Sequence, residues 1–411
     1  MNVMSAPENQ APESHTFADT GKIWTPTFIL VAFVNLGTFM AFNMTNTGIP
    51  VFVDALGGSP FQVGLVTTLT TASALATRPF TGLMVDRFGR KGILVTGLLV
   101  TTASIALFAL IPLIPVILVL RFIQGLGWGL SSTATSTICA DELPPRRFAE
   151  GMGYFSLTTS LASAVAPALA VALLDYVGID AMISVSLACI AIACVLAFLP
   201  ALKTKPASET RPAPSEKTKL SLSTLFERRA LFPSALIFLV NMAFAPITTF
   251  IVLHGQDRGI DGVFVYFIVF ALANLVTRPV IGKIIDKTGF FWPAILSAAS
   301  VILTMVFIAS ATDLSMFCVA GIFAGLGFGT AMGTFQTMAV MPVPPQRRGV
   351  ATSTYLFGLN GGMTAGSLIA GLLVGPFGYG GMYFCMGLFP LIAGIMVVVT
   401  GPKHMKKFEI Q

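Results

Sequence analysis

The segment Ala76–Arg90, ATRPFTGLMVDRFGR, recurs in the second part of the chain as Val276–Phe290, VTRPVIGKIIDKTGF. The arginine, the proline, both glycines and the aspartate of the first copy are kept in the second, and Arg278 follows Arg78 at an offset of 200 residues. A fixed offset between similar segments is typical of an internal repeat. The sequence therefore predicts two structurally equivalent halves.

Two further motifs keep the same offset. The string RFIQGLGWG, from Arg121, matches GIFAGLGFG, from Gly321. Small residues that allow close helix packing also pair between the halves. The pairs join Ala162, Ala166 and Ala170 to Gly362, Gly366 and Ala370. Agreement of three separate motifs on one offset argues against chance similarity between apolar segments.

The composition is that of a membrane protein. Hydrophobic residues make up 55% of the 411 residues and charged residues 10%, whereas soluble domains carry about 25% charged residues. This excludes a soluble enzyme, a nucleic-acid binder and a secreted disulfide scaffold. The five cysteines form no Cys-x-x-Cys or Cys/His cluster, so we interpret them as small hydrophobic side chains and expect no metal, cofactor or catalytic set.

Apolar runs long enough to cross a bilayer recur along the chain. They are continuous rather than alternating, which favours helices over the strands of a barrel. We predict an all-α integral membrane fold with twelve transmembrane helices in two six-helix pseudo-repeats. The predicted spans are 25–48, 61–84, 92–113, 116–138, 149–173, 180–200, 231–253, 263–285, 291–311, 315–339, 350–373 and 379–400.

The positive charges predict an orientation. If the N-terminus is cytoplasmic, all of the 24 Lys and Arg residues except Arg121 and Arg258 fall on the cytoplasmic side or its tails. Positive charges accumulate in the cytoplasmic loops of membrane proteins. We therefore expect a multi-pass protein of the inner (plasma) membrane with both termini in the cytoplasm. The same distribution explains the net charge of +6 without a nucleic-acid partner.

A polar segment separates the predicted helices into two groups of six. It is rich in Pro, Ser, Lys and Glu, which is typical of a flexible linker, and its end has the pattern of a short amphipathic helix. The predicted organisation is a cytoplasmic tail 1–24, an N-terminal half 25–201, a linker 202–230, a C-terminal half 231–400 and a cytoplasmic tail 401–411.

The string GLMVDRFGRK, Gly82–Lys91, resembles the signature G-x-L-x-D-R-x-G-R-K that follows the second helix of major facilitator superfamily transporters. Met84 replaces the usual leucine, and the copy in the second half is degraded. The matching positions are Gly82, Asp86, Arg87, Gly89, Arg90 and Lys91, with Gly282, Asp286 and Gly289 in the second copy. In the family this motif is a gate, so the resemblance implies that Asp86 and the adjacent basic residues latch the cytoplasmic side.

Two other segments extend the resemblance over about residues 25–400. The string LRFIQGLGWG resembles the family's fourth-helix motif at Arg121 and Gln124. The helix-5 motif of family antiporters, G-x8-G-x3-G-P-x2-G-G, is matched more weakly because three glycines have become alanines. The positions concerned are Gly153, Ala162, Ala166, Pro167 and Ala170. The resemblance is to bacterial drug and metabolite exporters of the drug:proton antiporter type.

Arg121 is the one basic residue well inside a predicted span. A charge there costs on the order of 3 kcal/mol, so such residues are functional by default; snorkelling to the outer end of helix 4 is the structural alternative. The resemblance links this position to proton coupling or substrate binding, and Gln124 lies one turn further along. No Asp or Glu lies at the middle of a span, an absence that argues against a simple proton antiport mechanism.

Family geometry places helices 1, 4, 7 and 10 around a central cavity. The polar and aromatic residues of these helices are candidates for the cavity lining, and helix-packing roles are the alternative. The candidates are Asn35, Asn43, Trp128, Asn241 and Phe328.

The sequence predicts a secondary transporter without enzymatic activity or cofactors. We expect a monomer that exports small amphipathic compounds by alternating access, with protons as the coupling ion. An uptake carrier for a small anionic metabolite bound through Arg121 is the alternative, and a non-transporting membrane sensor is a third. In this mechanism the small residues of helices 5 and 11, including Gly362 and Gly366, let the helices slide against their neighbours.

The gate assignment predicts the behaviour of one substitution. Asp86→Asn should leave expression intact and sharply reduce transport, because the neutral amide cannot latch onto a basic side chain or a helix N-terminus. Comparing flux with protein abundance in the membrane checks this prediction, and near-normal transport by the variant would end the assignment.

Overall fold

The computed structural model describes residues 23–144, 147–200, 202, 226–344 and 347–405. Over these residues the chain is helical, with short connections and no β-strand. Most of the predicted linker and tails lies outside them. For a few helical residues the side-chain surroundings also lie outside the description; those predicted as site residues are Gly82, Asp86, Arg87, Gly153, Gly282 and Asp286.

The first half contains six helices, α1 to α6. The first begins at Pro26, and Thr25 caps it by accepting a hydrogen bond from the Phe28 amide. Proline is favourable at this position because it has no backbone N–H that would need an acceptor. The bounds are α1 (Pro26–Ala55), α2 (Pro60–Phe88), α3 (Arg90–Leu110), α4 (Ile114–Glu142), α5 (Phe148–Tyr176) and α6 (Ile179–Phe198).

The second half follows a short 3-10 turn at Arg228–Ala230. Its helices are α7 (Leu231–Asp257), α8 (Phe264–Thr288), α9 (Phe291–Ala309), α10 (Leu314–Val340), α11 (Arg348–Met386) and α12 (Leu388–Met405). Helix α11 is broken at Gly378, which has φ 66° and ψ 177° and follows Pro376. The break lies between the predicted spans 350–373 and 379–400, so the residues after Gly378 continue into α12 as one crossing.

Nine stretches of the described residues are long and apolar enough to cross a membrane. The last of them, Val350–Gly401, has 52 residues, enough for two crossings at 1.5 Å per residue. Helix α2, which has several threonines in its first part, is not among the nine, and the apolar stretch Phe264–Thr277 of α8 is shorter than the nine. The fold is consistent with twelve crossings.

The internal repeat is visible in how the helices pack. Gly125 of α4 lies against Thr70 of α2, and its repeat partner Gly325 of α10 lies against Phe270 of α8. The next glycine of each motif packs on another helix: Gly127 lies against α3 and Gly327 lies against α9. Because these glycines have no side chain, the backbones come within contact distance of each other. The repeated sequence thus builds the same seam in both halves.

The turns after α2 and α8 also repeat. Gly89 has φ 84° and Gly289 has φ 69°, a backbone conformation that residues with a Cβ rarely adopt. Each glycine lets the chain reverse directly into the next helix, so the two copies of the signature share a structural role here.

The two halves meet at one side of the bundle. We call the side on which α1 begins the near side and the side on which α2 begins the far side. Helices α2 and α11 touch through their backbones: a Cβ on Gly64 would lie 2.6 Å from the Ser367 carbonyl oxygen and 3.1 Å from the Gly371 Cα. The rings of Tyr176 and Phe264, at the far ends of α5 and α8, lie 6.2 Å apart.

Hydroxyl groups add hydrogen bonds to this contact. Thr68 and Ser367 are 2.8 Å apart, Thr364 donates to Thr71 at 2.9 Å, and Thr249 of α7 donates to Thr67 at 3.0 Å. We call the α2–α11 part of this contact the far-side seam. It comprises Gly64, Thr68, Thr71, Thr364, Ser367 and Gly371. Two turns nearer the near side on the same face of α11, Phe357 is 48% exposed, whereas Ser367 of the seam is completely buried.

A substitution at Gly125 tests the packing of α4 on α2. Gly125→Ala places a methyl group against the Thr70 carbonyl and the Ser73 hydroxyl. Overpacking of this kind costs about 1–3 kcal/mol, so we expect a lower midpoint of thermal unfolding for the purified protein. Gly92→Ala is the matched control, because no atom lies within 4 Å of its Cβ and alanine favours a helix. Equal midpoints for the two variants would contradict this packing.

Candidate functional site

A polar network lies inside the first half around Arg121. This side chain is completely buried, and its guanidinium is bonded on several sides. It donates to the Val66 carbonyl oxygen at 3.2 Å, to the Gln124 Oε1 at 2.7 Å and to the Asn46 Oδ1 at 2.7 Å, with a longer contact of 3.4 Å to the Thr45 hydroxyl. Arg121 therefore does not snorkel to the surface but ties α4 to α1 and α2.

Gln124 completes this network. Its carbonyl accepts from Arg121 while its amide donates to the Thr45 hydroxyl at 3.0 Å, so both ends of the side chain are used. All the partners described for Arg121 are neutral. The guanidinium is thus a buried positive charge held by dipoles, an arrangement that stabilises a nearby anion and opposes a second cation.

The sequence identified Arg121 and Gln124 but not Thr45 and Asn46. They stand in α1 just before Pro50, and nothing in the apolar pattern of this helix distinguishes them from packing residues. The available signal was their polarity within a predicted span.

The signature after α2 is described in part. Arg90 is buried and forms an ion pair with Asp141 at the end of α4, while Lys91 donates to the Leu199 carbonyl oxygen at 3.1 Å. These contacts fasten the near-side end of α3 to α4 and to the end of α6. The side chains of Asp86 and Arg87 lie outside the described part of the chain. The acidic partner Asp141 was not predicted, although its position at the end of a helix was a signal.

The asparagines of the predicted cavity differ in their surroundings. Asn35 donates to Thr158 and Thr159 of α5 at 2.9 and 3.1 Å and accepts from Thr135 of α4 at 3.2 Å, so it joins three helices. Asn43 donates to the Phe39 carbonyl oxygen of its own helix and is half-buried.

Asn241 is buried and donates to its own helix at the Ile237 carbonyl oxygen, at 3.1 Å. Of the three asparagines, Asn43 is the one with an accessible surface, and Asn35 has the contacts of an interhelical link.

An aromatic cluster occupies the facing surfaces of α1, α2 and α4. The indole of Trp128 stacks on Phe42 with centroids 3.9 Å apart and planes at 10°, and Phe39 meets it edge-on at 5.7 Å. The guanidinium carbon of Arg78 lies 5.5 Å from the Trp128 ring, within the range of a cation–π interaction. We call Phe39, Phe42, Arg78 and Trp128 the Arg–Trp cluster. Arg78 was noted in the repeat but not predicted as a site residue.

The second half has an aromatic counterpart. Phe328, the repeat partner of Trp128, lies 4.5 Å from Phe244. At the near side of the second half, a cavity of about 380 Å³ is lined by side chains of α7, α11 and the preceding turn, including Phe226, Phe238 and Phe357. This cavity is thus bordered mainly by aromatic and aliphatic groups.

The small residues of helices 5 and 11 lie between helices. Ala162, Ala166 and Ala170 of α5 and Ala370 of α11 are completely buried. A Cβ added to Gly362 or Gly366 would press against the backbone of α7. Pro167 lies buried inside α5. Gly362 and Gly366 are therefore packed closely against α7, and the alanines of α5 are enclosed within the bundle.

Comparison with known proteins agrees with this architecture. The family model described as Major Facilitator Superfamily matches residues 31–313 and 290–410. The chain is 25% identical over 359 residues to the uncharacterized MFS-type transporter YhhS of Escherichia coli K12, which covers 84% of this chain and 85% of that protein. It is 26% identical to the quinolone resistance protein NorA of Staphylococcus aureus MRSA252 over 118 residues, 29% of this chain and 30% of NorA.

Solved structures share the fold. A POT family transporter in complex with 5-aminolevulinic acid superimposes with a TM-score of 0.77 at 14% identity, over 92% of this chain and 96% of that one. At this identity the likeness concerns the fold alone.

Two asparagines of α1 provide a matched test of the Arg121 network. Asn46→Ala removes the buried oxygen that accepts a hydrogen bond from the Arg121 guanidinium. Loss of a hydrogen bond to a charged group costs about 1.5–3 kcal/mol of stability, so the midpoint of thermal unfolding should fall. Asn43→Ala removes only a bond within the same helix at a half-buried position and should have a much smaller effect. Thermal unfolding of both purified variants measures the difference; an Asn46→Ala midpoint as high as that of Asn43→Ala would contradict the network.

Proposed function

This chain belongs to the Major Facilitator Superfamily, and we propose that it is a secondary active transporter that exports small amphipathic compounds by alternating access. The observation that carries the proposal is the asymmetry of the contacts between the halves. They are joined at the far-side seam, whereas on the near side Phe357 is 48% exposed and borders a cavity of about 380 Å³ in the second half.

The direction of this opening follows from the charges. The Lys and Arg residues of the connections lie on the near side, apart from Arg258. By the positive-inside rule the near side is the cytoplasmic side, and the protein lies in the inner (plasma) membrane with both termini in the cytoplasm. In this state the cleft, the space between the two halves on the near side, is open to the cytoplasm. It can therefore receive compounds from there, as an exporter requires.

The lining supports an amphipathic substrate. Phe238 and Phe357 supply flat apolar surfaces to the near-side cavity, while Trp128 and Phe328 are buried against aromatic neighbours of their own halves. Aromatic faces bind apolar and mixed compounds without requiring one pattern of hydrogen bonds. The partial likeness to a quinolone resistance protein points in the same direction.

The alternative of an uptake carrier that binds an anion through Arg121 has less support. Four contacts already engage this guanidinium, and no part of it is exposed. Its position favours coupling instead. Any shift of α1 against α4 changes the bonds of Arg121 to Asn46 and Gln124, so the hydrogen bonding of the buried charge responds to the helix arrangement. We therefore propose protons as the coupling ion.

The energy source and the partners complete the proposal. The transporter acts as a monomer in the lipid bilayer, uses no cofactor and catalyses no covalent reaction. The signature at Asp86, Arg87, Arg90 and Lys91 latches the near side when the cleft closes there and the far-side seam opens.

Dye and drug accumulation in cells that lack their own efflux pumps tests the proposal. We expect cells with the wild-type chain to accumulate less of an amphipathic dye than cells with an empty vector. A protonophore should abolish the difference, because it removes the driving gradient. Arg121→Ala should abolish it as well, whereas Arg258→Ala, which removes a positive charge outside the cleft, should not.

Two results would contradict the proposal. Equal accumulation with wild type and vector across a broad panel would rule out export of amphipathic compounds and favour a narrow metabolite carrier. Lower accumulation that persists with a protonophore would remove protons as the coupling ion.

A further inference from the structure

Two nitrogen donors of the Arg–Trp cluster have no hydrogen-bond partner among the described residues. The Nη1 of Arg78 and the Nε1 of Trp128 are both shielded from solvent and unpaired. The hydroxyl of Ser132, one turn after Trp128 on α4, is in the same condition. Buried donors are almost always paired in folded proteins. Three unpaired groups that include a cation therefore indicate a partner that the described residues do not supply.

The ring of Trp128 satisfies the charge of Arg78 only in part. A cation over an aromatic face is attracted to the ring, but this contact does not accept the guanidinium hydrogen bonds. Arg121, by contrast, has hydrogen-bond acceptors on α1, α2 and α4. Arg121 and Arg78 thus differ: the guanidinium of Arg121 is saturated by the protein, and that of Arg78 retains an unpaired donor.

The helix register places Arg78 at the space between the halves. Thr71 of α2 bonds to Thr364 of α11 across the far-side seam. Arg78 follows Thr71 by two turns on the same face of α2, nearer the near side. It is half-buried, so a molecule in the space can approach it. The two described acids at the near end of α4 are engaged elsewhere, Asp141 by Arg90 and Glu142 by the Thr25 hydroxyl.

We propose that the Arg–Trp cluster is a binding site for the carboxylate of an amphipathic organic anion. The carboxylate accepts hydrogen bonds from the guanidinium of Arg78, a geometry in which two parallel bonds form, and the indole N–H of Trp128 is a further donor. The apolar body of the ligand lies toward Phe357, the half-exposed aromatic side chain of α11. This inference rests on the proposed function and narrows its substrates from amphipathic compounds to amphipathic carboxylates.

Tryptophan fluorescence can observe this site in the full chain. The chain has three tryptophans, and Trp24 and Trp292 are 60% and 63% exposed. In a Trp24→Phe/Trp292→Phe background, the emission excited at the red edge reports on Trp128 alone. The probes are 3-phenylpropanoate, 3-phenylpropanamide and 3-phenylpropylamine, which share one skeleton and carry a negative, a neutral and a positive head group.

We expect saturable quenching or shift of the Trp128 emission by 3-phenylpropanoate and affinities at least about tenfold weaker for the amide and the amine, the difference typical of a hydrogen bond to a charged group. Arg78→Ala should weaken binding of the carboxylate by a similar factor. Arg78→Lys keeps the charge without the planar pair of donors and should give an intermediate affinity.

Controls separate binding from loss of structure. Arg258→Ala removes a cation on the far side and should bind 3-phenylpropanoate like the parent protein. Thermal midpoints of all variants identify any that fail to fold. If Arg78→Ala is unfolded, Arg78→Lys and the comparison of the three probes still decide the question.

Equal affinity for the three probes, or unchanged binding of the carboxylate by folded Arg78→Ala, would overturn the inference. So would the absence of any response of Trp128 to 3-phenylpropanoate. The inference can fail while the proposed function stands, because dye export measured in cells does not require a carboxylate. Conversely, selective binding of 3-phenylpropanoate without any flux would support this site and contradict transport.

Discussion

A charge enclosed in an apolar helix bundle must find its hydrogen bonds within the protein, because neither lipid nor water provides them. Arg121 meets this requirement through Val66, Gln124 and Asn46. Since the acceptors come from three helices, the register of α1, α2 and α4 is fixed together. The second half has Gly321 at the equivalent position, packed against the backbone of α8. The two halves therefore share a fold but differ in polarity, and the buried cation lies in the first half.

The contact between the halves has a different character. The far-side seam joins backbones at Gly64 and Gly371 and adds hydroxyl pairs such as Thr68 with Ser367. Hydrogen bonds between membrane helices contribute about 0.6 kcal/mol each on average, and no salt bridge is described across the seam. Such a contact is specific, but breaking it costs little free energy. Rigid halves joined by a weak seam are what alternating access requires, and the glycine contacts allow the seam to reform closely after each cycle.

Much of this architecture could be predicted from the sequence, and the reasons are local. Apolar runs define crossings, and the 200-residue offset between Arg78 and Arg278 defines the two halves. Arg121 was a candidate because a charge inside an apolar span is energetically costly and is therefore functional by default. Three contacts were not predictable in the same way: the bond of Arg121 to Asn46, the ion pair of Arg90 with Asp141 and the cation–π contact of Arg78 with Trp128. These contacts join residues from different helices. A single sequence shows the apolar pattern of each helix, but it does not show which helix faces pack against each other.

The central claim is that the far-side seam opens during each transport cycle. Replacing Thr68 and Ser367 by cysteine in a background without the five native cysteines allows a disulfide to close the seam, because the two hydroxyl oxygens are 2.8 Å apart. The measurement is the rate of dye efflux before oxidation, after oxidation and after reduction. We expect efflux to stop when the disulfide forms and to return when it is reduced. Undiminished efflux by the fully cross-linked protein would contradict alternating access through this seam.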